Sequence, residues 1–156
     1  MHSSFARIDG ALIDMRRIWA PTTSGRAARG EAASVDLSTV LIVTAIGDAP
    51  DGLSVADIAS ELGVAPATAS RLCDRAVVGG YVAKANAAAD ARRLSLTLTP
   101  AGGALRAQSE AFRLDYLRRI LHVWTSEDVQ TFERLLTRFA TAVHVDPPTP
   151  PRGDIP

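Results

Sequence analysis

The sequence predicts a mainly α-helical chain that carries one small β-hairpin. Three observations predict it: two short amphipathic segments separated by a Gly63-Val64-Ala65-Pro66 break, a period-2 run at Leu94, Leu96 and Leu98 behind a Gly79-Gly80 stop, and longer 3.6-period segments at both ends of the chain.

Phe5, Ile8, Leu12, Met15 and Trp19 form one stripe, so the chain opens with an amphipathic helix. Thr22 to Ala33 is rich in Gly, Ser, Arg and Ala and reads as a connection, in which Arg26 and Arg29 are better taken as solvated than as phosphate contacts. Val35 to Gly47 reads as a buried supporting helix. Its apolar run, Val40 to Gly47, falls far short of the ~20 residues that a membrane-spanning helix needs.

The next helix is marked at both ends. Ser54 stands at the N-cap with Asp57 three residues on as the capping-box acid, while Leu53 and Ile58 occupy the hydrophobic-staple positions. Val55, Ile58, Ala59 and Leu62 share one face, and Gly63 ends the helix because glycine enters the left-handed conformation without steric cost. Pro66 then opens a second helix, at a position whose N–H would have no partner in any case. The turn between the two is tight.

On this second helix Ala69, Leu72, Cys73 and Ala76 face the core, which leaves Ala67, Thr68, Ser70, Arg71, Asp74 and Arg75 outside. Small residues lead and two arginines follow one turn apart. That suits a helix whose N-terminal part enters a major groove about 12 Å wide, where Arg bonds bidentately to guanine and Thr or Ser reaches base edges or phosphate. Taken alone, the same pattern also describes a solvated face with two ordinary surface arginines. The ribbon that follows shifts the balance. Tyr81 to Lys84 forms one strand, Leu94 to Leu98 alternates with Arg93, Ser95 and Thr97 in another, and a polar, alanine-rich loop from Ala85 to Arg92 joins them. A loop of that length, with its charge confined to Asp90, Arg92 and Arg93, reads as a wing aimed at a partner, and arginine suits the negative potential of a narrow minor groove. The layout is that of a winged helix-turn-helix.

After the wing, Thr99 caps and Pro100 opens a helix running to Trp124, with Leu105, Phe112, Tyr116, Leu117, Ile120, Leu121 and Trp124 as its apolar positions. Such a helix spans about 37 Å. Ser126 caps a last helix, with Glu127 and Asp128 in its first turn and Phe132, Leu135, Leu136, Phe139 and Val143 along one face. Three amphipathic helices from the two chain ends, lacking a partner in the winged core, are best buried against each other and a second subunit. An intramolecular three-helix layer is the less favoured arrangement, since closed two-fold dimers are the commonest oligomers and match palindromic operators. Pro147, Pro148, Pro150 and Pro151 make the tail after Asp146 extended or disordered.

Ser70 to Arg75, Gly80-Tyr81-Val82, Asp90-Ala91-Arg92 and Leu96-Thr97-Leu98-Thr99-Pro100-Ala101-Gly102 together resemble the multiple antibiotic resistance regulator (MarR) family. The similarity runs from Phe5 to Val143, with the flanking helices matching in layout more than in residues. It implies base or phosphate contacts from Thr68, Ser70, Arg71 and Arg75, a minor-groove role for Arg92 with Arg93 beside it, and Asp90 as the acid that braces the wing arginine. It further implies small, often aromatic effectors bound between the dimer helices and the winged core. Two departures stand out: Ala65 occupies a position where a capping side chain is usual, and the wing tip carries more alanine than charge.

The resulting organisation is an N-terminal dimerisation helix and linker (1–33), a winged helix-turn-helix DNA-binding region (34–99), C-terminal dimerisation helices (100–145) and a disordered tail (146–156), one structural domain overall. Composition, lacking the basic balance that marks a nucleic-acid binder, counts against this reading, though not heavily. The 156 residues carry 17 basic and 17 acidic side chains, yet from Glu61 to Arg93 five positive charges face three negative ones, so a basic patch coexists with a neutral whole. Asp9 and Asp14 interrupt any signal-peptide core, leaving the cytoplasm as the expected compartment.

Chemical sites are weak. Cys73, the single cysteine, lies on the core face and reads as a small hydrophobe more than a redox sensor. His2, His122 and His144 are scattered without metal-ligand spacing, and Walker A, dinucleotide-fingerprint and nucleophile-elbow motifs are missing, so neither metal, cofactor nor catalysis is expected. The expected function is a homodimeric, sequence-specific transcription regulator, a repressor of its operator tuned by a small effector. The alternative is a winged helix kept as a protein-interaction or dimerisation module without DNA binding, in which Arg71, Arg75 and Arg92 would be dispensable.

Overall fold

The computed structural model describes residues 2–19, 35–87 and 90–148, with side chains at 3–15, 35–85 and 94–148. The expected linker at Thr22 to Ala33, the side chain of Trp19 and most of the expected tail lie outside the described residues. Six helices and one hairpin follow in the order α1 (His2–Trp19), α2 (Leu37–Gly47), α3 (Val55–Glu61), α4 (Pro66–Val78), β1 (Val82–Ala87), β2 (Asp90–Leu98), α5 (Pro100–Ile120) and α6 (Ser126–Val145). They divide into two compact units, residues 1–113 and 114–156.

The core of the first unit joins α2, α3, α4 and the hairpin. Ile42, Val43 and Ile46 from α2 meet Ile58 and Ala59 from α3, Ala69, Cys73 and Ala76 from α4, Val82 from β1 and Leu96 from β2. The apolar faces expected of α3 and α4 are therefore the faces turned to this core. Asp36 caps α2, its carboxylate accepting from the Thr39 N–H at 2.9 Å. Ser54 and Asp57 form the reciprocal capping box: the Asp57 N–H donates to Ser54 Oγ at 3.2 Å and the Ser54 N–H to Asp57 Oδ2 at 2.9 Å.

Both core helices of the motif end in the same way. After α3 the Gly63 N–H bonds the Ser60 carbonyl and the Val64 N–H bonds that of Ala59; after α4 the Gly80 N–H bonds Val77 and the Tyr81 N–H bonds Ala76. These are Schellman stops, and Gly63 (φ 61°) and Gly80 (φ 76°) hold the left-handed position that each requires. Tyr81 is thus used by the stop, and β1 starts one residue later than its expected start.

The hairpin departs furthest from expectation. Strand pairing continues through Ala87 and resumes at Asp90, so Ala85, Asn86, Ala87 and Asp90 of the expected Ala85 to Arg92 loop belong to the ladder. Val82 pairs with Leu98, Lys84 with Leu96 and Asn86 with Leu94, but Ala87 pairs with Asp90, which places residues 91–93 in a bulge of β2. Alanine carries no alternation to read, whereas the backbone hydrogen bonds that extend the ribbon need no side-chain pattern. Leu94 is 54% exposed where the alternation placed it in the core, because β2 has run past the core by then. Ser95, on the other face, is buried, and its hydroxyl donates to the Asp51 carbonyl at 3.1 Å. Leu53 exchanges both backbone hydrogen bonds with Leu96, adding a one-residue bridge to the hairpin.

Thr99 caps α5 as expected, accepting from the Gly102 N–H at 3.1 Å while donating to the Gly80 carbonyl at 2.7 Å. Gly102 is buried, and a Cβ there would fall on the Tyr81 carbonyl oxygen. One turn on, Arg106 Nη1 donates to the Gly47 carbonyl at 3.1 Å and its other terminal nitrogen pairs with Asp48, so α5 is held to the end of α2 as well as to the root of the hairpin. A Cβ at Gly47 would meet the Arg106 guanidinium.

α5 ends at Ile120, four residues short of the expected Trp124. The Trp124 N–H bonds the Leu121 carbonyl in a turn, and the His122 ring Nδ1 lies 2.8 Å from the Arg119 carbonyl oxygen, so side chain and turn close the helix. In the second unit Thr125, and not Ser126, is the N-cap of α6. Its Oγ1 accepts from the Asp128 N–H at 3.1 Å and donates to Asp128 Oδ2 at 2.6 Å, and only the threonine stands three residues before that acid. Trp124 packs edge-on to Phe132, with ring centroids 5.4 Å apart. No residue of α6 is buried.

Candidate nucleic-acid interface

α4 presents the outer face that its periodicity requires. Ala69, Cys73 and Ala76 are buried, Leu72 packs against them, and Ser70, Arg71, Asp74 and Arg75 are exposed while Thr68 is half-buried. Ala65 at the N-cap makes no side-chain hydrogen bond, and Pro66 occupies the first turn. The helix start is therefore held by the backbone alone, with the Thr68 and Ala69 N–H groups donating to the Ala65 carbonyl at 2.8 and 3.0 Å.

Arg71 and Arg75 are four residues apart on this face, and neither has a hydrogen-bond or ion-pair partner among the described residues. Two unpaired guanidiniums on an exposed helix face offer bidentate donors outward. Asp74 lies between them in sequence and is engaged from outside the helix: Lys84 Nζ, from β1, sits 3.0 Å from Asp74 Oδ1. This ion pair ties the outer face of α4 to the hairpin. Ten residues and a turn separate the partners, so the sequence carried no local signal of the pair and only the fold brings them together.

The expected wing residues Asp90, Arg92 and Arg93 have their backbone in β2, with 92 and 93 in the bulge, and their side chains lie outside the described set. Cys73 is 1% exposed, directly behind the outer face. Burial pushes its thiol above the ordinary range, and the Asp74 carboxylate beside it adds to the effect. It is packing material. Sequence reading also passed over Gly52. With φ at 75°, any Cβ there would collide with Ser95 and the Leu96 carbonyl, so the turn into the Leu53 bridge demands glycine. Asp51-Gly52 is a turn signal, and that was the available clue.

Among the described residues no group of three or more His, Cys, Asp and Glu side chains is placed to hold a metal, and no helix is long and apolar enough to cross a membrane.

Residues 34–93 match the model of the MarR family. A search of curated protein sequences gives no match. Solved structures share the fold along most of the chain. A MarR family protein from Bacillus stearothermophilus superposes with a TM-score of 0.72 at 19% identity, covering 92% of this chain and 97% of its own. FabT of Streptococcus pneumoniae, solved in complex with DNA, gives 0.72 at 19% identity over 89% and 96%. CouR of Rhodococcus jostii RHA1, solved bound to p-coumaroyl-CoA, gives 0.60 at 18% identity over 86% and 87%. The helix-turn-helix, β1, the bulge of β2 and the arginine-bearing outer face of α4 thus fall in the stretch that matches the MarR family model, set in a chain that shares the fold of that family's solved structures.

Proposed function

We propose that the protein is a homodimeric, sequence-specific DNA-binding transcription regulator that represses from a palindromic operator and is released from it by a small effector. The observation that carries the DNA-binding step is the exposed pair Arg71 and Arg75 on α4, without partners among the described residues and flanked by a hairpin. In this reading Thr68 and Ser70 contact base edges or phosphate at the helix start, Arg71 and Arg75 read the major groove, and Arg92 and Arg93 reach the minor groove with Asp90 bracing the wing. The FabT complex with DNA supports the mode of binding.

Dimerisation is supported by apolar surface that a single chain leaves open. On α1, Phe5, Ile8, Leu12 and Ile13 are exposed; on α6, Leu135, Leu136, Phe139 and Val143 are. The N-terminal helix with its linker (1–33) and the C-terminal helices (100–145) are assigned to dimerisation, with the tail from 146 outside it. A two-fold dimer places two copies of α4 in successive major grooves about 34 Å apart. Ligand control is supported by the CouR complex and requires only that the effector favour a subunit spacing that does not match the operator. The cytoplasm is the compartment this function needs.

The test is binding of the duplex adjoining the protein's own gene against random duplex at two salt concentrations. Preference for the adjoining DNA, lost in Arg71→Ala, supports the reading. Equal affinity for both overturns it.

A further inference from the structure

We propose that Lys84 is a positioning residue for DNA recognition: it occupies Asp74 so that Arg71 stays available to DNA and the acid does not present an open negative charge to the phosphates. The inference rests on the DNA-binding reading above.

Asp74 stands on the exposed face of α4, in the one stretch where a carboxylate most opposes a polyanion. On a helix an acid faces the residues three and four positions away, here Ser70, Arg71, Val77 and Val78, while Arg75 at i+1 points elsewhere. Arg71 is the only cation among these four. Left alone, Asp74 has one helical counter-ion to turn to, and it is the arginine whose guanidinium the DNA needs.

The structure shows a different pairing. Lys84 reaches across from β1 to Asp74 Oδ1 at 3.0 Å, and Arg71 makes no ion pair among the described residues. Both partners of the pair are about half exposed, so its worth to folding is small. Its electrostatic consequence at the surface is larger than its thermodynamic one. Lys84 cancels a charge that would otherwise repel the ligand and quench a neighbour, and it does so from the strand next to the helix, without occupying the face that enters the groove. Lysine suits the task, being a compact point charge with rotatable donors.

The experiment measures duplex affinity by fluorescence anisotropy for the wild type, Lys84→Ala, Lys84→Arg, Asp74→Ala and the Lys84→Ala/Asp74→Ala double variant, with thermal melts to confirm folding. Lys84→Ala should weaken binding roughly fivefold to tenfold, as expected for an interfacial charge left uncompensated. Lys84→Arg should restore it. Asp74→Ala should bind at least as well as the wild type, and the double variant should recover most of the loss. A double variant as weak as Lys84→Ala alone, with a salt slope reduced by about one, would make Lys84 a phosphate contact and overturn the inference while leaving the proposed function in place. An unchanged Lys84→Ala affinity overturns it too. If the wild type binds duplex without sequence preference, the regulator reading fails, but the rescue is still read in that binding. A wild type with no duplex affinity ends both.

Discussion

Arg71 and Arg75 are the side chains on which the proposed function turns, and their exposure separates that function from stability. Arg71→Ala or Arg75→Ala should leave the melting temperature nearly unchanged while costing about 1–3 kcal/mol of specific binding, with relaxed preference at one base pair if the contact is to a base. Titration of labelled duplexes carrying single base changes checks this. Cys73 behaves oppositely. Because burial raises its folded-state thiol above the ordinary value, the unfolded chain ionises first as pH climbs, so the contribution is complete at neutral pH and is lost as pH rises through the ordinary value toward the folded one. Denaturant titrations should show stability declining on the alkaline side, less steeply in Cys73→Ala, and thiol reagents should label the folded protein slowly. Both arginines and the cysteine were legible from helical periodicity, which sorts inside from outside. Lys84 and Arg106 were not, since an ion pair across ten or fifty-eight residues leaves no local pattern.

The elements divide between those announced by their caps and those made by pairing. Ser54, Gly63, Pro66, Gly80 and Thr99 each mark a boundary by a backbone hydrogen bond or dihedral that few other residues satisfy, and each falls where the sequence placed it. The hairpin tip and the end of α5 were misjudged because alanines and a Leu-His-Val-Trp run carry no such mark. The expected cap of α6, Ser126, overlooks the reach from Thr125 to Asp128, three residues on. An uncapped start to α4 leaves room for improvement: Ala65→Ser should gain about 1 kcal/mol in denaturant unfolding, by supplying an acceptor to the first free N–H groups. Gly102→Ala should cost about 1–3 kcal/mol or more by the same measurement, because the methyl group has no place to go but the Tyr81 carbonyl.

For the molecule as a whole, the decisive quantity is apolar surface. Every buried core side chain belongs to the unit of residues 1–113, and α6 in the other unit buries none of its own. Phe5 at 65% and Val123 at 74% exposure, with the α6 stripe, amount to more open hydrophobe than a solitary soluble chain ordinarily shows. Sedimentation equilibrium should report a dimer at micromolar concentration, and Phe5→Glu combined with Phe139→Glu should shift it to monomer and remove operator binding while the winged region keeps its fold by circular dichroism.

The two attachments of α5, a steric one at Gly102 and an ionic one at Arg106, give this helix a mechanical character. With about 6 Å between them and about 15 Å from Gly102 to Phe112, a sideways shift of Arg106 pivoting on the glycine is magnified about two and a half times at the phenylalanine. A guanidinium held on Asp48 therefore restrains the swing at Phe112 as a stay near the foot of a mast restrains the point above it.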